Sequence, residues 1–139
     1  MTAYAGDLTP TQAWERLQSE PNAKLIDVRT QAEWTYVGIP DLAGLGKQPI
    51  LVQWQAFPAM SRNDAFADQL KSQGVQPGDT LLFLCRSGVR SKAAAELMTQ
   101  LGFGAAYNIL EGFEGPLDGS RHRGGAAGWK ATGLPWVQG

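Results

Sequence analysis

Apolar residues along the chain fall into short dense runs, separated by segments in which they recur every three or four positions. The run at 23–29 is compact and rich in branched apolar residues, and the run at 80–84 is apolar on both faces, which is typical of buried strands of a parallel sheet. Residues 105–110 form another such run, and residues 50–57 alternate more loosely. Each of these segments is predicted to be a strand, with 80–84 in the centre of the sheet.

The segments between these runs have helical spacing, and they are predicted to be helices at 10–19, 61–73 and 90–101. A shorter helical turn is predicted at 30–34, and the Gly- and Pro-rich residues 37–49 are predicted to be loop. Strands that alternate with helices through short turns predict an α/β fold. The sheet should be doubly wound and mainly parallel, with helices on both of its faces.

Particular residues mark where these helices begin and end. Thr9 followed by Pro10 is typical of an N-cap and first helical position, and Thr30 is predicted to cap the turn at 30–34. Gly74 is predicted to be the C-cap of the 61–73 helix, and Gly102 to end the 90–101 helix.

Length, charge and cysteine count narrow the class of protein. A chain of 139 residues favours one domain, residues 1–139, since a second core would have too little chain. The single cysteine excludes an internal disulfide and a cysteine-rich metal site, and the net charge of −1 gives no reason to expect a nucleic-acid or membrane partner. The N-terminus lacks the features of a signal peptide, and no run approaches the ~18 apolar residues of a membrane span. We expect a cytoplasmic protein whose thiol stays reduced.

The C-terminal segment, 119–139, is rich in glycine and has no clear period until its last residues. We expect an ordered loop that packs back on the domain through Trp129 and Trp136, with a flexible tail as the alternative. The tryptophans are more typical of core and anchoring residues than of a nucleic-acid stacking platform, because nothing basic interleaves with them. His122 is interpreted as a surface or structural residue, since a lone histidine has no metal-site partners; a contact with substrate is the alternative.

The single cysteine, Cys85, directly follows the predicted central strand and precedes a predicted helix. Open α/β sheets bind ligands beyond the carboxyl ends of their strands, where helix N-termini present free N–H groups. Gly88 permits a turn in which successive N–H groups converge on one point. Arg86 and Arg90 add permanent charge, and such surroundings lower a cysteine pKa from ~8.5 to roughly 3.5–7.5. The loop is therefore predicted to be an anion cradle with a nucleophile at its centre.

Loop length separates the chemistries that such a cradle can serve. A free cysteine at a strand end is often simply buried, but a cation such as Arg90 is unfavourable in the first turn of a helix and favours an anionic partner. Cysteine phosphatases place five residues between cysteine and arginine, whereas four lie between Cys85 and Arg90. The four are Arg86, Ser87, Gly88 and Val89. Five intervening residues would put the arginine at position 91, which is Ser91. The tighter loop favours a smaller target, such as one extra sulfur atom on the cysteine.

These motifs resemble the single-domain rhodaneses, the thiosulfate sulfurtransferase family. Residues 85–91 read CRSGVRS, and residues 25–34, LIDVRTQAEW, resemble the upstream family motif of a strand ending in Asp-Val-Arg before Glu-Trp. The C-terminal GFEGPLDG and GWKATGLPW resemble the same region of many bacterial members. The likeness covers nearly the whole chain, with the motifs in the same order.

The resemblance implies a rhodanese-like domain with a five-stranded, mainly parallel sheet and a two-step sulfur transfer. Cys85 would attack the outer sulfur of thiosulfate, release sulfite and hold a persulfide, which a thiol, cyanide or a sulfur-accepting protein then takes. No cofactor is implied beyond this covalent persulfide. The N–H groups of residues 86–90 would hold the outer sulfur, and Arg86 and Arg90 would offset its charge.

The family motif upstream of the cysteine suggests supporting roles for three further residues, and Ser91, at the end of the cysteine motif, is interpreted as a fourth supporting residue. By analogy, Arg29 lies near the pocket and either touches substrate or pairs with Glu33. Asp27 is interpreted as a residue that orients loop or strand-end groups rather than as an acid or base.

Two departures from the family pattern leave alternatives open. Residues 37–42 read VGIPDL where many members have Gly-His-Ile-Pro-Gly-Ala. Ser87 stands where some thiosulfate-preferring members carry lysine; its hydroxyl resembles members that use mercaptopyruvate, whereas Arg86 favours an anionic oxyacid. A non-catalytic rhodanese-like partner-binding module is the main alternative function, and a cysteine phosphatase or arsenate reductase is another. The retained cysteine and arginines argue against the first, and the loop length argues against the second.

Overall fold

The computed structural model describes residues 4–56, 61–86, 88–115 and 128–137. The strands are β1 (Gly6–Leu8), β2 (Ala23–Asp27), β3 (Ile39–Pro40), β4 (Ile50–Leu51), β5 (Gln55–Ala56), β6 (Ser61–Arg62), β7 (Thr80–Leu84), β8 (Ala106–Ile109) and β9 (Trp136–Val137). The helices are α1 (Pro10–Ser19), α2 (Gln31–Tyr36), α3 (Phe66–Ser72), α4 (Val89–Gln100) and α5 (Gly128–Ala131). None of the helices in these ranges is long and apolar enough to cross a membrane.

Five strands form one sheet in the order β1-β8-β7-β2-β4, and every neighbouring pair is parallel. The predicted α/β class and the central position of residues 80–84 are therefore confirmed. Asp27 at the end of β2 pairs with Leu84 at the end of β7. The residues that follow these strands, 28–30 and 85–86, consequently emerge side by side at one edge of the sheet.

Both faces of the sheet are covered, because the side chains of β7 alternate between two apolar clusters. Leu81 and Phe83 join the cluster that contains α3 and α4, whereas Leu82 and Leu84 join the cluster that contains α1 and α5. All five residues of β7 are buried; four are apolar, and the hydroxyl of the fifth, Thr80, donates a hydrogen bond to Glu20.

The N-terminal ends of two helices follow the sequence prediction closely. Thr9 and Thr30 cap α1 and α2, and each accepts a hydrogen bond from the backbone N–H three residues later. In both cases the residue three positions on, Gln12 or Glu33, bonds back to the backbone N–H of the threonine, which completes a capping box.

Long-range pairing changed several predicted boundaries. The 61–73 helix begins only at Phe66, because Ser61–Arg62 pair with Gln55–Ala56 as a separate two-stranded sheet. That pairing also removes Gln55–Ala56 from the predicted 50–57 strand, of which Ile50–Leu51 alone joins the main sheet. The predicted loop at 37–49 contains β3 and a short 3-10 turn. Strand β1 was not predicted, since three residues, one of them glycine, carry no recognisable period.

The described end of the C-terminal segment contacts the rest of the protein at two places. Trp129 is fully buried in the cluster with α1, and its indole N–H donates to the Pro135 carbonyl over 2.7 Å. Strand β9 pairs antiparallel with β3, which places Trp136 opposite Pro40. Trp136 itself is 39% exposed. Residues 119–127, including His122, lie outside the described residues.

Candidate active site

Cys85 lies directly beyond the central strand and is 1% exposed. Its Sγ accepts a hydrogen bond of 3.0 Å from the backbone N–H of Gly88 and lies 3.2 Å from Ser91 Oγ. The thiol is thus held between a loop amide and a side-chain hydroxyl from the first turn of α4. An amide and a helix N-terminus at this distance suit a sulfur atom that carries negative charge.

The turn between β7 and α4 depends on glycine at position 88. Gly88 is the N-cap of α4 and has φ of +112°, in the left-handed region that L side chains rarely adopt. This conformation turns its N–H group back toward Cys85 Sγ. Ser87 lies outside the described residues.

A second loop, residues 110–115, fixes the backbone of the cysteine loop from behind. Phe113 N–H donates to the Cys85 carbonyl over 2.8 Å, and Glu114 and Gly115 N–H donate to the Arg86 carbonyl over 3.0 and 3.2 Å. The approach is so close that a Cβ on Gly112 would lie 2.6 Å from the carbonyl carbon of Arg86. These bonds hold the strand end rigidly beneath the thiol.

The two cations predicted for the cysteine loop have different surroundings. Arg86 is exposed at the rim, next to Val89, which is 78% exposed. Arg90 instead bonds Glu33 with two hydrogen bonds, of 2.7 Å from Nη1 and 3.0 Å from Nη2. The loop therefore offers one solvated guanidinium and one that is already paired with a carboxylate.

The pair formed by Arg90 and Glu33 is electrostatically tight. Burial by itself would raise the pKa of Glu33, but the hydrogen bonds and charge of Arg90 outweigh it and hold this pKa below its usual value. Burial likewise acts to lower the pKa of Arg90, yet the hydrogen bonds to Glu33 and the charges of Glu33, Cys85 and Asp27 raise it. Both groups therefore keep their charge beside the cysteine.

Arg29 pairs with Asp27, not with Glu33, so the expected alternative of an Arg29–Glu33 pair is wrong. Its Nε and Nη2 donate to the two Asp27 carboxylate oxygens over 2.9 and 2.7 Å, and Nη2 also donates to the Gly38 carbonyl over 2.7 Å. Both side chains are fully buried, and the guanidinium lies 4.3 Å from the centre of the Phe113 ring. Within the described part of the chain, Arg29 Nη1 has no hydrogen-bond partner.

A row of polar side chains lies behind the cysteine; it begins at Ser91, which the sequence analysis named as a supporting residue, and continues through residues that it did not single out. Ser91 Oγ donates to Asn108 Oδ1 over 2.6 Å, and Asn108 Nδ2 donates to Asp7 Oδ1 over 3.0 Å. Tyr4 donates its phenolic proton to the same Asp7 oxygen over 2.7 Å. An asparagine within the otherwise apolar 105–110 segment is the signal that could have identified this row, since buried polar groups require partners.

Chemically, the arrangement supplies a buried single thiol, an amide donor aimed at it, and a cationic rim. Cys85, Gly88 and Ser91 are in direct contact, and Arg90 with Glu33 closes one side of the site. Asp27 and Arg29 form a neighbouring buried pair that bonds the turn at Gly38. This combination suits a nucleophilic sulfur that takes up a small anionic group.

The sequence matches the family described as the STR4 middle domain over residues 6–139. An uncharacterized protein of Rickettsia conorii is 39% identical over 130 residues, which cover 94% of this chain and 95% of that protein. The rhodanese-like domain-containing protein 4 of Arabidopsis thaliana is 30% identical over 127 residues, which cover 91% of this chain and 24% of the plant protein.

Solved structures share the same architecture. The crystal structure of Rv0390 from Mycobacterium tuberculosis matches with a TM-score of 0.90 and 49% identity, over 99% of this chain and 100% of that chain. The polysulfide-sulfur transferase homodimer of Wolinella succinogenes matches with a TM-score of 0.64 and 22% identity, over 96% of this chain and 78% of that chain. At such an identity the likeness concerns the fold alone, which is that of a rhodanese-like domain.

Proposed function

This chain belongs to the STR4 middle domain family and has a rhodanese-like fold, and on that premise we propose that it is a sulfurtransferase that carries a sulfane sulfur as a persulfide on Cys85. The observation that carries the proposal is the contact of 3.0 Å between Gly88 N–H and Cys85 Sγ at the start of α4. An amide donor so placed stabilises negative charge on sulfur without needing a metal or a general base.

In the first step, the Cys85 thiolate attacks the outer sulfur of a donor such as thiosulfate. The new bond joins Sγ to that sulfur, the sulfur–sulfur bond of thiosulfate breaks, and its electron pair leaves with sulfite. The negative charge then lies on the outer sulfur of the persulfide. The loop N–H groups of residues 86–90, together with Arg86 and Arg90, are proposed to hold that charge.

In the second step, an acceptor thiolate or cyanide attacks the outer sulfur and regenerates the Cys85 thiolate. The acceptor leaves as a persulfide or as thiocyanate, so that atoms and charge balance over the cycle. The exposed rim at Arg86 and Val89 is where an acceptor, small or protein-borne, would approach. The polysulfide-sulfur transferase of Wolinella succinogenes has the same fold, so this fold can serve sulfur transfer.

The proposal also covers the domain, the location of the protein, its cofactors and the residues that support the site. We propose one domain over residues 1–139, a cytoplasmic location in which the thiol stays reduced, and no cofactor beyond the persulfide itself. Asp27 and Arg29 are proposed to support the site by fixing the turn at Gly38 rather than by touching the reacting sulfur.

Intact-mass spectrometry after separate exposure to thiosulfate, polysulfide and mercaptopyruvate tests the proposal. Because Cys85 is the single cysteine of the chain, a mass increase of one sulfur atom can be assigned to it. The Cys85→Ser variant should gain no sulfur with any donor and form no thiocyanate from cyanide. If the wild-type protein gains no sulfur from any of the three donors, sulfur transfer is excluded and a non-catalytic binding module becomes the better account.

A further inference from the structure

The hydrogen-bonded row behind Cys85 leads from the buried sulfur to the edge strand β1. Ser91 and Asn108 are 0% and 4% exposed, so water cannot readily replace a partner that either side chain lacks. Asp7, at the outer end of the row, is exposed. The row therefore has a buried half whose hydrogen bonds must be satisfied internally and an outer half that can be altered without disturbing the core.

Asp7 determines which way the Asn108 amide faces. A carboxylate only accepts hydrogen bonds, so Asp7 binds the NH2 group of Asn108 and leaves the Asn108 carbonyl facing Ser91. The hydrogen bond to Asp7 raises the pKa of Tyr4 to about 12, so the phenol keeps its proton and remains a donor. Both donors to Asp7 are thus fixed in direction.

The direction of the Asn108 amide in turn determines what Ser91 presents to the sulfur. A hydroxyl has one proton, and Asn108 Oδ1 takes that of Ser91 over 2.6 Å. Only lone pairs of Ser91 Oγ then remain to face Cys85 Sγ, 3.2 Å away. A thiol can donate its proton to those lone pairs, whereas a thiolate receives no donor there.

The persulfide differs from the thiolate in this respect. Once Sγ is bonded to a second sulfur, it carries neither a proton nor the negative charge, which lies on the outer sulfur. Lone pairs of Ser91 Oγ facing Sγ are then compatible with the intermediate. The same orientation of Ser91 thus suits the thiol and the persulfide and disfavours the thiolate between them.

We propose that Asn108, held by Asp7, is a positioning residue that turns the Ser91 hydroxyl proton away from Cys85 and so disfavours the resting thiolate relative to both the thiol and the persulfide. When Cys85 ionises, its proton goes to a base in the solvent. Ser91 cannot then donate a hydrogen bond to the negative charge on Sγ, because its own proton is bonded to Asn108. The persulfide half of this inference rests on the proposed function; the thiol half does not.

The test measures the thiolate of the single cysteine directly at neutral pH, without any sulfur donor. The thiolate absorbs in the far ultraviolet, and the absorbance lost on alkylation isolates Cys85 from the aromatic background. Asn108→Leu removes the acceptor of Ser91 and frees its proton for Sγ, so the ratio of thiolate to thiol should rise about tenfold. In the Ser91→Ala background the same Asn108→Leu change should produce no rise, because no hydroxyl proton is available.

If Asn108→Leu acted by loosening the fold, it would do so with or without the Ser91 hydroxyl. The double variant therefore distinguishes a looser fold from a reoriented hydroxyl proton. A rise that persists with Ser91→Ala, or no rise in Asn108→Leu alone, would overturn the proposal. If Asn108→Leu fails to fold, Asp7→Ala provides the same test from an exposed position, since the freed amide can turn its NH2 group toward Ser91. Absence of sulfur uptake in the wild-type protein would refute the proposed function but leave the measured thiolate ratios to decide this inference.

Discussion

Arg90 in the first turn of α4 and Glu33 in α2 are joined by two parallel hydrogen bonds of 2.7 and 3.0 Å. Glu33 also accepts hydrogen bonds from the backbone N–H and the hydroxyl of Thr30, over 3.2 and 3.1 Å. One carboxylate thus closes a capping box in its own helix and anchors the helix that begins beside the cysteine. Stability and the geometry of the loop are therefore coupled through Glu33.

Replacing Glu33 should destabilise the protein more than an ordinary loss of surface charge. In Glu33→Gln the Arg90 guanidinium, about one-sixth exposed at 17%, loses its bidentate partner, and we expect a loss of about 1–3 kcal/mol in the free energy of unfolding. Urea denaturation followed by tryptophan fluorescence measures it. Glu15→Gln, an equal change of charge at an exposed position of α1, should change this free energy by less than about 0.5 kcal/mol. Equal effects of the two variants would contradict the coupling.

The contribution of Glu33 should disappear in acid. Its pKa in the folded protein lies below the usual value of 4.5, so its stabilisation is fully present above pH 4.5 and is lost as the pH falls toward the folded-state pKa. The difference in unfolding free energy between wild type and Glu33→Gln should therefore be constant near neutrality and shrink in acid. A difference that grows as the pH falls below 4.5 would have the wrong sign for this carboxylate.

Gly112 should be irreplaceable for steric reasons beyond its backbone conformation. It has φ of +59°, and an added Cβ would meet the Arg86 backbone at 2.6 Å; Gly46, with φ of +69°, has no described atom within 4 Å of the same position. Gly46→Ala should cost about 1–2 kcal/mol for its left-handed backbone alone. Gly112→Ala should cost at least about 3 kcal/mol and slow sulfur uptake by Cys85. Denaturation curves for the two variants measure the difference, and similar costs would rule out the steric explanation.

Removing the carboxylate of the buried Arg29–Asp27 pair should strongly destabilise the protein. Asp27→Asn leaves a fully buried guanidinium without a counter-charge, and we expect a cost of about 3–5 kcal/mol. The double variant Asp27→Asn with Arg29→Met should be more stable than Asp27→Asn alone, because the unpaired charge is removed. Thermal unfolding of the wild type, Asp27→Asn and the double variant tests this order. A double variant less stable than Asp27→Asn would contradict it.

Arg86 should act on anionic reagents through its charge alone. It is exposed beside the buried thiol, so Arg86→Ala should slow alkylation of Cys85 by the anion iodoacetate while leaving the reaction with neutral iodoacetamide unchanged. The selective effect should weaken as salt is added. Arg16→Ala, which removes a cation from the last turn of α1, is the matched control and should change neither rate. Equal slowing of both reagents in Arg86→Ala would indicate a structural role instead.

Local signals in the sequence accounted for the elements that depend on local physics. Residues Thr80–Leu84 form a strand with the predicted bounds, because four successive apolar residues are typical of a strand buried on both faces. The caps at Thr9 and Thr30 were predictable for a similar reason, since each threonine satisfies N–H groups only three residues away.

Side-chain pairings, some between distant residues and one between near neighbours, account for what the sequence did not predict. Glu33 and Arg90 lie 57 positions apart, and no local pattern indicates that they meet. Arg29 was expected near the pocket, where it would touch substrate or pair with Glu33, yet its side chain folds back onto Asp27, two residues earlier, because both are buried together at the end of β2. Asn108 was overlooked as one polar residue in an apolar strand, although that very exception marks the hydrogen-bonded row behind the cysteine.

The backbone contacts of α5 extend the sulfur site to the far end of the chain. Trp129 N–H donates to the Gly112 carbonyl over 2.8 Å and Lys130 N–H to the Phe113 carbonyl over 3.1 Å, while Phe113 in turn bonds the Cys85 carbonyl. Truncation of the protein within its glycine-rich C-terminal segment would remove the backbone hydrogen bonds that hold the loop behind Cys85 in place. A fragment that ends before Gly128 should retain its cysteine motif, but the reactivity of Cys85 should differ from that in the whole protein, because the loop that holds its backbone has lost its contacts with α5.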